Sequence, residues 1–291
     1  MAGLQKEIWI RQLLEKFYPD SSFLSYVKDF SGSVEYHALN LAEAGVDPVV
    51  LVNNSTYPIN VVQRVDKPIK IELDIFETEN TLIRHPEVIE YSYDQLESVL
   101  MGHRNTLRAK TSEKAAHAYA PEKDTADTPV IQTTGANYGT RKRLIIEDIL
   151  ALKERFDNND VPLESRYLVL HPSHVTDLIL LDTKSFKDIA DVVNGEPKRL
   201  AGFNVLQFSK PAYYDLSTME KKSWESVTGA GDGFCSFAYQ SDEVMKADGN
   251  VELYSTIKDP KERATIVGFE KRFVALPLRN KGIGAIVSSA S

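Results

Sequence analysis

The residues with the strongest claim to chemistry form a glycine-rich run, SVTGAGDGF, at positions 226–234. Glycines that open a helix can hold a phosphate on their free N–H groups, and a carboxylate beside them, Asp232, could serve as a general base. The chain continues after Asp232 with GFCSFAYQ, which has aromatic residues and no good helix former beyond Ala238. This composition predicts a strand that leaves a glycine turn, so we expect Asp232 to be a turn residue with a capping role.

The segment T-G-A-G-D within this run resembles the signature of the ribokinase-type sugar kinases, whose aspartate activates a sugar hydroxyl. The match is incomplete, because Ser226 and Val227 stand where that family has an Asp-Thr pair, and the first 60 residues contain no Gly-Gly. A sugar kinase that uses Gly229–Asp232 remains an alternative. It implies ATP turnover that is lost in Asp232→Asn.

Two further groupings suggest chemistry only weakly. His171, His174 and Asp177 have the i, i+3, i+6 spacing of metal ligands, but a Pro-Ser pair separates the histidines and a structural zinc site needs a fourth ligand. The run TTGANYGTRKR at 133–143 is one residue short of a phosphate-binding loop. We expect it to be a solvated loop that places its basic residues at the start of a helix.

Composition narrows the class of protein further. The net charge of −8 argues against a dedicated nucleic-acid binder, although not against a protein that sits near nucleic acid without gripping it. The single cysteine, Cys235, excludes an intramolecular disulfide and fits a reducing cytoplasm, and its apolar context predicts a buried, unreactive thiol. The N-terminus does not read as a signal peptide, and no run approaches the ~20 apolar residues of a membrane-spanning helix. Without a serine-hydrolase motif either, we predict no enzymatic activity, no cofactor and no metal.

The N-terminal region predicts one short helix. Residues 5–17 are amphipathic, with Trp9, Leu13 and Phe17 at i+4 steps, and Pro19 stops the pattern. The apolar stripe of this helix can pack on its own core or on a neighbouring subunit, and the pattern leaves both open.

Two strand-like runs follow at 34–42 and 69–77. The second alternates, with four apolar residues on one face: Ile69, Ile71, Leu73 and Ile75. The residues between the runs, 43–68, are too many for a tight hairpin and too rich in Val and Ile for a disordered linker. They predict a long β-excursion away from the body of the protein, and long ordered loops usually carry function.

The remaining chain alternates helices with strands. A long helix at 93–118 carries a narrow apolar seam that includes Leu100, His103 and Leu107. Further helices are predicted at 142–157, 173–182 and 185–193, and strands at 167–170, 202–208, 235–240, 251–257, 263–278 and 282–288.

In this order the elements resemble the major capsid protein of tailed bacteriophages, which has the Hong Kong 97-type fold, and the resemblance covers essentially the whole chain. KEIWIRQLLEKFYPDSSFLS resembles the N-terminal arm of this family, and DPVVLVNNSTYPINVVQRVDKPIKIELD resembles its extended E-loop. RYLVLHPSHVTDLI and RLAGFNVLQ resemble the beginning of its A domain, and RNKGIGAIVS its last strand. The match is one of texture and element order, since none of these stretches is a catalytic motif.

The resemblance implies an α+β fold with an N-terminal arm, an extended β E-loop, a long spine helix, a P domain and an A domain. The corresponding ranges are 1–30 for the arm, 31–84 for the E-loop, 85–165 with 249–279 for the P domain and its spine helix, and 166–248 with 280–291 for the A domain.

The resemblance also implies a function. Copies of the chain would assemble into hexamers and pentamers of an icosahedral shell that encloses double-stranded DNA without sequence-specific binding and without a membrane. Seven residues of the arm and the E-loop are expected at contacts between subunits: Trp9, Leu13, Phe17, Val49, Val50, Tyr57 and Pro58.

Partners and location follow from the same resemblance. It implies a portal and leaves decoration proteins open. Only about thirty residues precede the first predicted strand, which favours a separate scaffolding protein over a fused one. The expected location is the virion, after assembly in the host cytoplasm. An encapsulin-like compartment, which encloses cargo enzymes, shares the fold and remains a second alternative.

Overall fold

The computed structural model of the chain describes residues 7–11, 13, 22–35, 38–43, 67–84, 95–181, 190–191, 196–197, 199–259, 261–262 and 264–291. Most of the excursion predicted for 43–68 lies outside these residues. Five of the predicted contact residues lie outside them as well: Phe17, Val49, Val50, Tyr57 and Pro58.

The described residues contain the α-helices α1 Gln95–Tyr119, α2 Ile146–Asn158 and α3 Pro172–Leu181, and residues 7–11 and 13 are also helical. The strands are β1 Lys28–Asp29, β2 Val34–Glu35, β3 Ala38–Glu43, β4 Lys67–Glu72, β5 Asp74–Glu77, β6 Thr81–Arg84, β7 Val130–Gln132, β8 Asn137–Tyr138, β9 Arg141–Lys142, β10 Arg166–Leu170, β11 Ala190–Asp191, β12 Glu196–Pro197, β13 Arg199–Leu200, β14 Phe203–Gln207, β15 Tyr213–Asp215, β16 Glu220–Lys221, β17 Asp232–Gln240, β18 Val244–Asp259, β19 Ala264–Pro277 and β20 Ile283–Val287.

A five-stranded sheet is built around the long antiparallel pair β18–β19, with β1, β5 and β6 at its sides. The N-terminal half of α1 covers one face of this sheet. Leu100, His103 and Leu107 are buried there, and the ring of His103 lies 5.3 Å from the ring of Phe269. The seam predicted for the long helix is confirmed at these three positions, because residues spaced by three and four share one helix face.

An eight-stranded sheet forms the second body of the fold. Its order is β13-β14-β10-β17-β15-β16, and β20 pairs with both β17 and β7. Helix α2 packs on this sheet through Leu152 and Phe156, both fully buried. The approach requires a glycine at position 284, since a Cβ there would lie 2.8 Å from Leu152 Cδ1.

Helix α1 joins the two sheets. Its C-terminal half contributes Ala115, Ala116 and Tyr119 to the apolar cluster of the eight-stranded sheet. Lys221 closes the end of the helix, because its Nζ donates to the carbonyl oxygens of His117 (3.0 Å) and Ala120 (2.7 Å). A cation at this position satisfies carbonyl groups that have no partner within the helix.

Two residues within the predicted arm (1–30), Phe23 and Leu24, are buried in the chain's own core. Phe23 is only 2% exposed and packs edge-on against Phe208, Phe237 and Tyr119. β1 then pairs in parallel with β18. The aromatic partners that bury Phe23 lie roughly one hundred or more positions away in the sequence.

Three predicted elements are wrong in part. The strand predicted at 69–77 is two strands, because β4 pairs with β3 whereas β5 pairs with β19. Leu73 lies buried at the break, and Ile75, predicted on the same face, is 53% exposed. The helix predicted at 185–193 is contradicted by β11, which pairs with β12 across a segment containing the hairpin dipeptide Asn-Gly.

Residues 134–140 are largely exposed, as expected of a solvated loop, but the run 133–143 also contains the hairpin β8–β9. Helix α2 begins at Ile146, after the basic residues rather than with them. The predicted division between P and A domains at 248/249 falls inside β18.

Candidate assembly surfaces

The run SVTGAGDGF forms a turn that leads into β17, as predicted. Asp232 Oδ2 accepts a hydrogen bond from Lys222 Nζ and another from the Gly229 N–H, each 2.6 Å long. Lys222 Nζ also donates to the carbonyl oxygen of Val227, at 2.8 Å. The bond from Lys222 is the largest cause that lowers the pKa of Asp232 below its ordinary value. A carboxylate held as a stable anion in this way is a poor general base, so its role here is to brace the turn.

His174 and Asp177, two of the three residues with metal-ligand spacing, are engaged by other side chains. Arg141 grips Asp177 with two bonds, Nη1 to Oδ2 at 2.5 Å and Nη2 to Oδ1 at 2.9 Å. His174 is fully buried with Nδ1 2.7 Å from Ser236 Oγ, and burial lowers its pKa to about 3. Among the described residues, no group of three or more His, Cys, Asp or Glu side chains could hold a metal ion.

The hairpin β8–β9 presents a basic and aromatic surface. The guanidinium of Arg143 lies 4.5 Å from the centre of the Tyr138 ring, and that of Arg141 lies 5.7 Å from it. Tyr138 is 54% exposed. Cation–π stacking of this kind holds the arginine side chains in place on the hairpin.

Cys235 and two clefts formed by described residues show no reactive arrangement. The thiol is fully buried in β17, and burial raises its pKa to about 12. Clefts of about 420 Å³ and 330 Å³ flank His117. Two of the lysines that line them are already paired, Lys221 with Glu122 and Lys210 with Glu113. Cations neutralised by carboxylates in this way leave little net charge to attract a substrate.

The N-terminal helical residues pack on the body of their own chain. Leu13 is fully buried in a cluster with Leu100, Leu253 and Phe269, and Trp9 packs against its edge. In this conformation Leu13 is therefore part of the intramolecular core. A role for it between subunits requires the helix to leave that site.

Several apolar residues are exposed that the sequence patterns did not identify as surface residues. The largest exposures fall on Val227 (90%), in the turn before β17, and Leu163 (66%), in the loop after α2. The last three residues of α3, Ile179 to Leu181, are exposed although the helix buries Val175 and Leu178. The signal was present in the run LILL, where four apolar residues in succession exceed what one helix face can bury.

No helix within the described part of the chain is long and apolar enough to cross a membrane. No protein-family model matches the sequence, and no curated protein matches it either.

Solved structures are similar over nearly the whole chain. The capsid structure of Cyanophage P-SCSP1u has 15% sequence identity and a TM-score of 0.65, covering 91% of this chain and 87% of that chain. A structure described as Mycobacterium phage Che8 has 12% identity and a TM-score of 0.63, covering 90% and 89%. A virus-like particle from Pyrococcus furiosus has 10% identity and a TM-score of 0.57, covering 97% and 99%.

These similarities show that the chain has the α+β fold of phage capsid proteins, the Hong Kong 97-type fold, and they confirm the predicted fold class. They give no support to the sugar-kinase or the compartment alternative.

Proposed function

We propose that this chain is the major capsid protein of a tailed bacteriophage, a structural protein that assembles into hexamers and pentamers of an icosahedral shell enclosing double-stranded DNA. The observation that carries the proposal is the extent of the similarity, which covers 91% of this chain and 87% of the cyanophage capsid chain. The shared fold therefore extends over nearly the full length of both chains.

The architecture supports this function physically. A shell subunit must stay rigid while it is held by several neighbours. Helix α1 gives such rigidity, because one continuous helix of 25 residues is packed at one end on the five-stranded sheet and at the other on the eight-stranded sheet. We assign the first of these bodies to the P domain and the second to the A domain.

We further propose that residues 43–68 extend over an adjacent copy and that Val49, Val50, Tyr57 and Pro58 make apolar contacts there. β3 and β4 form a six-residue antiparallel pair that would serve as the base of this extension. An exposed Val-rich segment is an aggregation hazard on a free subunit and becomes interface when it is docked.

The remaining partners are proposals of the same kind. A separate scaffolding protein and a portal would direct closure, DNA would be enclosed without specific contacts, and assembly would take place in the host cytoplasm before the shell becomes part of the virion. Uniform closed shells formed by this chain alone would contradict the separate scaffold.

Negative-stain microscopy and sedimentation velocity of the purified chain test the main proposal. Because the proposed scaffolding protein is absent from this material, we expect six- or five-membered rings or irregular shells. A strictly monomeric chain at concentrations up to about 100 µM, far above the Kd of stable interfaces, would contradict it.

The kinase alternative is tested on the same material by ATP turnover with sugars, in wild type and in Asp232→Asn. We expect no turnover in either, because the Asp232 carboxylate is held by Lys222 and Gly229.

A further inference from the structure

One end of the eight-stranded sheet extends sideways into a row of strands with two distinct margins. On the side of β17 that faces β15, the Cys235 N–H donates to the Ala212 carbonyl oxygen. On the opposite side, the Ser288 N–H donates to the Phe234 carbonyl oxygen. β16 continues the row beyond β15. On the other side, the Lys142 N–H of β9 donates to the Ser289 carbonyl oxygen. The Lys221 N–H of β16 donates to the Glu122 carbonyl oxygen, so Glu122 belongs to this margin as well. β16 and the hairpin β8–β9 are thus opposite margins, about 20 Å apart at ~4.8 Å per strand.

The margin at β16 is acidic. Glu220, Asp215 and Asp232 stand opposite one another on three adjacent strands. Lys222 neutralises Asp232, but neither Glu220 nor Asp215 forms an ion pair with any residue that the structure describes. Asp215 also accepts hydrogen bonds from the Ser217 N–H and hydroxyl, which lower its pKa. Both carboxylates therefore stay negatively charged and give this margin a net negative charge in the isolated chain.

The margin at β8–β9 is basic. Asp177 neutralises Arg141, whereas Lys142 and Arg143 have no ion-pair partner within the described ranges. Asp148 lies at the foot of the hairpin, where it accepts hydrogen bonds from Thr134 and from the Ile145 N–H. Even with Asp148 counted, the hairpin keeps an excess of positive charge, and it adds the exposed ring of Tyr138.

We propose that these two margins meet between neighbouring copies of the chain, so that the β16 margin of one copy lies against the β8–β9 hairpin of the next. This inference rests on the proposed function, since it names the surfaces that join copies within a ring. Two different surfaces of one chain that bind each other form a head-to-tail contact, which closes into a ring when the rotation permits. Each margin supplies the charge that the other lacks, and aromatic residues and arginine are favoured at the centre of protein interfaces.

Charge reversal tests the pairing directly. The variants are Glu220→Lys on one margin, Lys142→Glu on the other, and the two combined. Glu154→Lys on the exposed face of α2 is a control with the same charge change as Glu220→Lys. Ring or particle formation is followed by light scattering and sedimentation velocity at low and high salt. We expect each single reversal to slow assembly by about tenfold at low salt, since charges at an interface act mainly on the association rate. The double variant should recover most of the wild-type rate.

The outcomes separate the inference from the function on which it rests. Single reversals that assemble like the control, or a double variant as slow as the singles, would overturn the pairing while leaving the proposed function intact. Lys142→Glu particles that assemble normally but lose DNA would also overturn the pairing, because the hairpin would then bind DNA and not a neighbouring copy. Absence of rings and particles from the wild type would remove both proposals. If a reversal lowers the melting temperature, Glu220→Gln and Lys142→Gln replace it, with the same order of effects expected at smaller size.

Discussion

Truncation of one aromatic side chain, Phe23→Ala, tests whether residues 22–30 belong to the subunit core or to an arm. Phe23 is 2% exposed, and its ring centre lies 5.2 Å from Phe208, 5.4 Å from Phe237 and 6.2 Å from Tyr119. Removal of a buried phenylalanine costs about 3 to 5 kcal/mol through lost transfer free energy and the cavity left behind. With three rings around the cavity, we expect a loss of about 4 kcal/mol in the free energy of unfolding, a large part of the ~5 to 15 kcal/mol typical of folded domains.

The assay is urea unfolding of the unassembled chain, followed by tryptophan fluorescence, with Val227→Ala as the control. Val227 is 90% exposed, so its truncation should change the free energy of unfolding by less than about 0.5 kcal/mol. Chymotrypsin cleavage near residue 23 should be slow in wild type and fast in Phe23→Ala. A loss below about 1 kcal/mol in Phe23→Ala, combined with impaired assembly, would refute the reasoning. It would place this segment on a neighbouring subunit instead.

Three further predictions concern buried polar groups. Asp177→Asn leaves the Arg141 guanidinium without its carboxylate, so the free energy of unfolding should fall by about 3 kcal/mol in urea titrations, and Arg141→Met in the same chain should restore part of it. His174 stays neutral in the folded chain down to a pKa of about 3 but protonates near 6.5 when unfolded. Unfolding therefore takes up a proton within that window, and stability should fall as the pH falls. Between pH 6.5 and pH 5 wild type should lose about 2 kcal/mol more than His174→Asn. The Cys235 thiol, with its pKa raised to about 12, should react with a thiol reagent at pH 8 only after denaturant is added; rapid labelling of the folded chain would contradict its burial.

Elements whose pattern is local were predictable. The buried positions Leu100, His103 and Leu107 of α1 repeat every three or four residues, and this period identifies one face of a helix without knowledge of what covers it. Asp232 was predictable as a turn residue for a similar reason. Its hydrogen bond from the Gly229 N–H spans three residues, so the chemistry that forms the turn is contained in the motif.

Elements that depend on distant partners were not predictable in the same way. The run 69–77 has the alternation of a single strand, yet β4 pairs with β3 whereas β5 pairs with β19. The residues of β19 that pair with β5 lie almost two hundred positions further along the chain. From the sequence, Phe23 was predicted to belong to an N-terminal arm. Only the tertiary structure shows that the rings of Phe208 and Phe237 pack against it. Local sequence patterns do not identify contacts between residues that are far apart in the chain.

The sequence by itself determined the order and type of most elements, the unreactive cysteine and, through resemblance, the fold class. The tertiary structure alone decided which charges stand together. In the sequence, Glu220 and Lys142 look like ordinary surface residues. They lie on opposite margins of one end of the sheet only because β16, β15, β17, β20 and β9 are joined in that order. The physical reason is that neighbours across a sheet are fixed by hydrogen bonds between strands that are far apart in the chain, so the charge of a surface belongs to the fold and not to any segment.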